Sequence, residues 1–534
     1  MKTPRVKVVL FFLSVAVVTC VLSPGIFGDN EKDNRRTEEA LREGIPQPDL
    51  GNGFFRNPVL GPGADNTAVK VGKDYYMLSG GGWPYEIIWH SRDLVNWAPV
   101  TPPIHKFTFG AADLTYYKGK FYIYRTAVDL SANPSGVRPR KTYVLWADRV
   151  EGPWSDPIEL GVPGYIDPGH IADQQGNRFL YFNKGVVVPL APDGLSAIGE
   201  PRKVYDGWDI PKDWMVACKC LEAPKLFYRD GYYYMESAEG GTDGPSVAHM
   251  EVVARSKSAE GPWENSPYNP LVHTASANEK WWRQGHGTLL EGEGGKWWFL
   301  YTGYENGYEI YGKQNLLLPI EWTDDGWPRV PFGVSATDVL SKPAGENLGY
   351  GLPLSDDFSS SALGIQWQYD TSVKPEESFK IGGGKLVMKA AGGLPGKNAI
   401  PSGATMIGVT PVNHSYEADV EVTIPDTAEA GLFLSSRRGD IDLGPTWGAV
   451  GLRKGEIFST AWDRHGNDIP SKETHLFLRL RSIRHDFSGS YSLDGKTWIP
   501  FENSTRVTDG RRLSLYAAGT GDVVFRNFKY HGMD

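Results

Sequence analysis

Cysteine is nearly absent from this sequence: three in 534 residues, one of them, Cys20, inside the first apolar run. That scarcity excludes a disulfide-framed fold and a thiolate-rich zinc site. The other two, Cys218 and Cys220, are too close along the chain for a relaxed disulfide. On a strand they would share a face with Glu222, and they read as small core residues. Positive charge is also in deficit. A formal net charge of -9 excludes nucleic acid as a main partner. Past Leu22 no apolar run is long enough to span a bilayer, and helical periodicity is scarce throughout.

What remains is rich in aromatics and turn formers, with 18 Trp, 26 Tyr, 63 Gly and 38 Pro. This is the composition of many short strands joined by turns, with aromatic surface left for a ligand. The N-terminus carries Lys2, Arg5 and Lys7 before an apolar run from Val8 to Leu22, so residues 1–28 read as a secretory signal. The expected location is secreted or periplasmic. Val17 to Cys20 loosely resembles a lipoprotein box with an unusual Thr19, which leaves a lipid anchor as an alternative; membrane contact would come only through this segment. Residues 29–48 read as a charged, solvated linker.

One phrase then recurs five times: a glycine, a polar residue or two, then paired aromatics and aliphatics. It begins at Gly72, Gly119, Gly176, Gly231 and Gly295, roughly 50–60 residues apart, the period of a propeller blade of four short strands. Residues 49–340 are therefore expected to form a five-bladed β-propeller. From about Leu354 to Asp534 the texture changes to alternating strands, Leu386–Ala390, Glu417–Ile424, Leu476–Leu480 and Val523–Tyr530, with a hairpin at Asp494–Gly495. These predict a two-sheet sandwich. The fold class is all-β, a propeller followed by a sandwich; alternation does not tell a jelly roll from an immunoglobulin-like sandwich.

A propeller gathers residues distant in sequence around one axis. Asp65, Asp167 and Glu222 each stand one strand ahead of a repeat phrase, in blades one, three and four, so they are expected to share a pocket. Glu222 is flanked by Leu221 and Ala223 and opens a hairpin closed by Asp230–Gly231. Apolar surroundings raise a carboxyl pKa, which a general acid needs. Two carboxylates across a glycosidic bond can hydrolyse it. Glu222 then serves as acid, Asp65 as base on water and Asp167 as modulator. Trp83, Trp281 and Trp282, in polar or Gly-rich segments, are candidate walls for sugar rings, with Phe109 and His170 as weaker ones.

Here the chain resembles glycoside hydrolase family 43, in its β-xylosidase and α-L-arabinofuranosidase branch, and its C-terminal part resembles the concanavalin-like jelly-roll sandwich appended to such xylosidases. The segments that carry the likeness are Asn57–Leu78, His90–Trp97, Ile166–Asn177, Leu221–Thr242, Gln284–Tyr301 and Gly312–Val330. The resemblance implies an exo-acting pocket, inversion at the anomeric carbon, and an oligosaccharide or polysaccharide substrate from hemicellulose with terminal xylosyl or arabinofuranosyl residues. It implies no cofactor for the chemistry, but a calcium or sodium ion at the axis near His286, which would be its metal ligand as well as a substrate-side residue. Lys313 falls at a sugar-binding position usually held by Arg. Two further departures are Asn66 in place of Pro after the base, and Ala111–Ala112 in place of Ala–Pro. These leave open a relative tuned to galactose or galactofuranose, or a non-catalytic carbohydrate-binding protein.

Overall fold

The computed structural model describes residues 35–534, except residues 64, 80–86, 101–110, 129–139, 370–372, 397–400, 436–445, 464–466 and 508–511. The signal segment lies outside the described residues. Five antiparallel sheets form the propeller. Their innermost strands are Thr67–Val71, Ala112–Tyr117, Gly169–Ala172, Glu222–Arg229 and Trp281–Glu291. In blades one to four the repeat glycine lies in the turn after the inner strand. In blade four Arg229 pairs directly with Tyr232, leaving Asp230 and Gly231 as the two loop residues. Their φ of 48° and 83° are those of the primed turn that Asp-Gly favours. Blade five takes its fourth strand, Leu60–Gly63, from the start of the propeller, and that strand pairs with Lys313–Trp322. Asn57 locks this closure: its Nδ2 donates to Leu317 O (3.0 Å) and its Oδ1 accepts from Leu317 N (2.8 Å).

The blades are knitted at the axis by buried polar groups. Asp113, on the inner strand of blade two, accepts from Thr67 Oγ1 of blade one (3.3 Å), from His170 N of blade three (3.0 Å) and from Lys225 Nζ of blade four (3.0 Å). Lys225 also donates to Ala112 O (3.0 Å) and Pro168 O (3.3 Å). Blades four and five are joined by Glu236, whose two oxygens accept from Leu289 N at 2.8 and 3.0 Å. Burial of unpaired polar groups is costly, so such a ring fixes the relative positions of the blades.

The C-terminal part is a sandwich of two seven-stranded antiparallel sheets. All four strands read from alternation belong to one sheet, with bounds Leu386–Lys389, Ser415–Thr423, His475–Ile483 and Asp522–Gly532. Leu476, Leu478 and Leu480 are fully buried while their neighbours reach solvent, as a half-solvated antiparallel sheet demands. The hairpin at Asp494–Gly495 has a longer loop than a two-residue turn, since Tyr491 pairs with Ile499. Asp494 organises it by accepting from Lys496 N (2.8 Å) and Thr497 N (2.7 Å).

Of residues 29–48, expected to be a charged, solvated linker, the part described from residue 35 onward is instead packed through Ala40, Glu43, Gly44 and Ile45. Residues 35–42 are helical, and Ala40 and Ile45 are buried in the main core. Glu43 accepts from Leu354 N (2.7 Å) and Ser355 N (3.0 Å), while Asn413 Nδ2 donates to Gly44 O (2.8 Å). The segment is a clasp between propeller and sandwich, and its charges read as solvated only because their partners are far away in sequence. Among the described residues no helix is long and apolar enough to cross a membrane.

Breaking a buried ion pair by truncating one partner costs about 3–5 kcal/mol. Asp113→Ala should therefore lower unfolding free energy by that order, and Asp113→Leu combined with Lys225→Met should recover much of it. Denaturant titration decides: a loss below about 1 kcal/mol in the single variant would mean that Lys225 does not depend on Asp113.

Candidate active site

Each of the three acids stands where a strand enters the axis. Asp65 lies two residues before the inner strand of blade one, Asp167 two before that of blade three, and Glu222 begins that of blade four. Local backbone aims them. Asp167, Ala223 and His286 have φ of 55°, 52° and 53°, a left-handed conformation that costs a non-glycine residue of order 1–3 kcal/mol and persists where the surroundings enforce it. A register break between Glu222 and Lys225, and two more flanking Gly285 in blade five, are bulges that re-aim side chains. Gly169 is obligatory for another reason: a Cβ there would stand 1.9 Å from Pro224 O. Its absence lets blades three and four close together and carries Asp167 toward Glu222.

The charges around Asp65 are explicit. Lys313 Nζ donates to Asp65 Oδ1, and His286 Nδ1 approaches the same oxygen at 3.3 Å. Burial would raise Asp65, but His286 and Lys313 together hold it well below the usual carboxylate range. Burial also drives His286 itself down to about 3, so at neutral pH it is uncharged. The standing positive charge on Asp65 is therefore that of Lys313, whose ammonium is held charged against burial by Asp65, Tyr304 and Glu222. Asp167 behaves oppositely. It is only 8% exposed and is pushed up to about 8, first by burial and then by the charges of Glu222 and Asp65. The trio thus contains an ionised Asp65 held by Lys313 and a protonated Asp167, and the raised carboxyl is Asp167, where the sequence pointed to Glu222.

One of the departures noted in the sequence finds local compensation. Asn66, fully buried, donates from Nδ2 to Asn315 Oδ1 (2.8 Å), which ties the Asp65 loop to the strand bearing Lys313. The carbonyl of Ala112 accepts from Lys225, a bond that Pro at this position would also make.

Other expectations are corrected. Trp281 is 2% exposed and packs in the main core, so it is no sugar platform. The period of two turns Trp281 inward and leaves Trp282 half-buried, with Nε1 donating to Ala277 O (3.0 Å). His170 is a core residue stacked on Tyr124, and its Nε2 accepts from Arg178 Nε at 2.9 Å. Trp83 and Phe109 lie outside the described residues. Cys218 and Cys220 are neither apart nor in the core: they are bonded to each other and exposed. They sit in a strap before the strand of Glu222, where Ala217 N and Gly240 N bond across to Gly240 O and Lys219 O (both 2.9 Å). The bend brings their Cα atoms to 5.2 Å, within disulfide reach.

His286 Nε2 is buried and unpartnered, as an atom awaiting a water or an ion would be. Among the described residues, however, no three His, Cys, Asp or Glu side chains group to hold a metal. A hard cation takes six to eight oxygens, so an ion beside His286 would be held largely through water; no chemical step is assigned to a metal.

Sequence reasoning missed Lys225, Asp113 and His249. His249 is fully buried, and its Nε2 lies 3.7 Å from Glu222 Oε1. It precedes the third strand of its blade, a position that blade equivalence does not mark as axial. The sandwich also reaches this end of the propeller. His414 stacks on Tyr308 with ring centroids 3.6 Å apart and bonds Glu305 at 3.0 Å. His485 bonds Gly307 O at 3.2 Å. All three propeller residues lie in the segment leading into Lys313. A cavity of about 540 Å³ at the same junction is lined by Trp89, Tyr311, Gln314, Gln368 and His414, among others, but by none of the three acids.

Paired carboxyls in opposite charge states at the axis of a five-bladed propeller are equipment for breaking glycosidic bonds. Residues 55–328, just over half the chain, match the family described as Glycosyl hydrolases family 43, and the chain belongs to that family of glycoside hydrolases. It is 28% identical over 518 residues to a xylan 1,3-beta-xylosidase from Vibrio sp, covering 85% of this chain and 92% of that protein. It is 31% identical over 361 residues to a non-reducing end alpha-L-arabinofuranosidase from Bacteroides ovatus, covering 62% of this chain and 63% of that one. The crystal structure of the GH43 BlXynB protein from Bacillus licheniformis superposes with a TM-score of 0.76 at 24% identity, over 90% of this chain and 100% of that one, a likeness of fold.

The proton on Asp167 has a consequence for stability. Asp167 keeps its proton when folded up to about pH 8 but releases it near the ordinary aspartate value of about 3.9 when unfolded. The native state binds more protons between those limits, so stability falls as pH rises through them. Asp167→Asn removes that contribution. The melting temperature of the wild type should drop more steeply from pH 5 to 8 than that of the variant; parallel profiles would contradict the burial of this proton.

Proposed function

We propose that the chain is an exo-acting, inverting glycoside hydrolase that releases terminal xylosyl or arabinofuranosyl residues from hemicellulose-derived oligosaccharides. The observation that carries this reading is the division of charge among the acids: Asp65 is ionised against Lys313, while Asp167 keeps its proton. Asp65 takes a proton from water as that water attacks the anomeric carbon. Glu222 gives its proton to the departing glycosidic oxygen. Asp167 is the modulator, and its charge state biases that of Glu222. The sugar is suggested by the relatives, named for xylosidase and arabinofuranosidase activity. The N-terminal segment, read as a secretory signal, supports export to where polysaccharide is degraded.

In this reading residues 49–340 are the catalytic unit and 354–534 a docked sandwich that closes one side of the pocket. Support comes from the stacking of His414 on Tyr308 and the tilted contact of His485 with the same ring, beside the segment that delivers Lys313. Trp282 remains a candidate subsite wall. A second sugar specificity, for galactose or galactofuranose, is favoured by one feature: Lys313 is a point charge without the bidentate fork of Arg and would hold a different hydroxyl pattern.

Two measurements test the proposal. A panel of nitrophenyl glycosides should give its highest kcat/KM with a β-xyloside or α-L-arabinofuranoside, and preference for a galactoside would move the reading to the second sugar. On a substrate with a poor leaving group, Glu222→Gln and Asp65→Asn should each cut kcat about 10²- to 10⁴-fold with the fold intact. Near-wild-type rates from either would remove its assigned role.

A further inference from the structure

His249 has no part in the chemistry set out above, yet it is the most rigidly held group beside the acid. Its loop is pinned from two sides. Ala248 N donates to Pro245 O (2.9 Å), and Arg283 of blade five donates from N to Ser246 O (2.8 Å) and from Nε to Gly244 O (3.0 Å). The ring has no exposed surface. Its Nδ1 lies 3.2 Å from Arg283 O. A carbonyl oxygen only accepts, so Nδ1 carries the hydrogen. In the neutral imidazole that leaves Nε2 as a bare acceptor. Nε2 is buried without a hydrogen-bond partner, and the polar atom in front of it is Glu222 Oε1 at 3.7 Å. The space for the ring is made by Gly285: a Cβ there would stand 2.8 Å from both His249 Cε1 and Nδ1, and the Gly285 φ of 152° suits glycine.

A bare nitrogen lone pair beside one carboxyl oxygen rejects a charged oxygen and accepts an O–H. We propose that His249 is a positioning residue for the general acid: its Nε2 receives the Glu222 O–H in the resting site and fixes the rotation of that carboxyl until a glycosidic oxygen takes the proton. This rests on the reading of Glu222 as the acid. The proton passes from Glu222 to the leaving oxygen; His249 neither gains nor loses one. The second-sphere partner is supplied by the seam between blades four and five, because Arg283 dictates the tautomer from blade five while the acid belongs to blade four.

The test uses the different reach of two amides. Asn at this position can keep the bond to Arg283 O but falls short of Glu222, whereas Gln can place an acceptor where Nε2 now stands. Each variant is assayed in the full chain on two substrates sharing the preferred glycone, one with a dinitrophenolate leaving group that needs no proton and one with a sugar leaving group that does. His249→Asn should lose about 10- to 100-fold in kcat on the sugar leaving group and less than about threefold on the dinitrophenyl one, with His249→Gln restoring most of the loss. Gly285→Ala should show the same split by displacing the ring. Equal losses for Asn and Gln on both substrates would reduce His249 to packing and overturn the proposal. Glu222→Ala run alongside separates the two readings. A leaving-group split in Glu222→Ala but none in His249→Asn overturns the role of His249 alone. No split in Glu222→Ala overturns the acid assignment and the proposal with it.

Discussion

One ammonium group decides which of three neighbouring carboxyls is charged. Lys313 reaches Asp65 from the third strand of blade five, while the neighbouring His286 is driven to the neutral form. Two ionised carboxylates roughly 4 Å apart repel by about 4 kcal/mol at an effective dielectric of about 20. Lys313 offsets the charge of Asp65, and burial first, then the charges of Glu222 and Asp65, keeps a proton on Asp167, raised to about 8. Acid and base chemistry at one pH is thereby set by a single cation placed off-centre. Removing the trio's asymmetry would leave the pocket in place but without assigned roles.

That placement depends on the closure of the ring. Lys313 belongs to a blade whose fourth strand comes from the opposite end of the propeller sequence, and Asn66 and Asn315 join the base loop to the strand of the cation. On the other side, Asp113 and Lys225 bind blades two, three and four at the axis, and Gly169 lets two of those blades meet. The acids are thus held by contacts between blades more than by contacts within them. The sandwich continues this logic from outside, packing His414 and His485 against the segment that precedes Lys313.

Blade number, the two all-β units and the three acids were legible because they leave local marks: a glycine before paired aromatics, an Asp-Gly turn, an acid one strand ahead. Where burial is one-sided the reading of strands was good, as at Leu476, Leu478 and Leu480. It failed in the partner sheet, where Ala428–Ser435 and Arg512–Gly519 are buried along their whole length. A second apolar cluster around Phe433, Trp447 and Tyr516 covers the far face of that sheet, so no alternation exists to be read. Trp281 was misassigned because a loop-like composition hid an inward-facing strand position. The clasp at residues 35–45 looked solvated because charge is local information while its partners, Leu354 and Asn413, are not. Lys225 escaped notice for the same reason: its partners lie in other blades.

The division of roles is tested most directly by the configuration of the first product. If the ionised Asp65 activates water and forms no bond to the sugar, the released glycone must appear with the anomeric configuration opposite to that of the substrate. Proton NMR of the anomeric signals during the first turnovers, before mutarotation, reads this. Inversion is expected; a product that first appears with retained configuration would require a covalent intermediate and contradict the role given to Asp65.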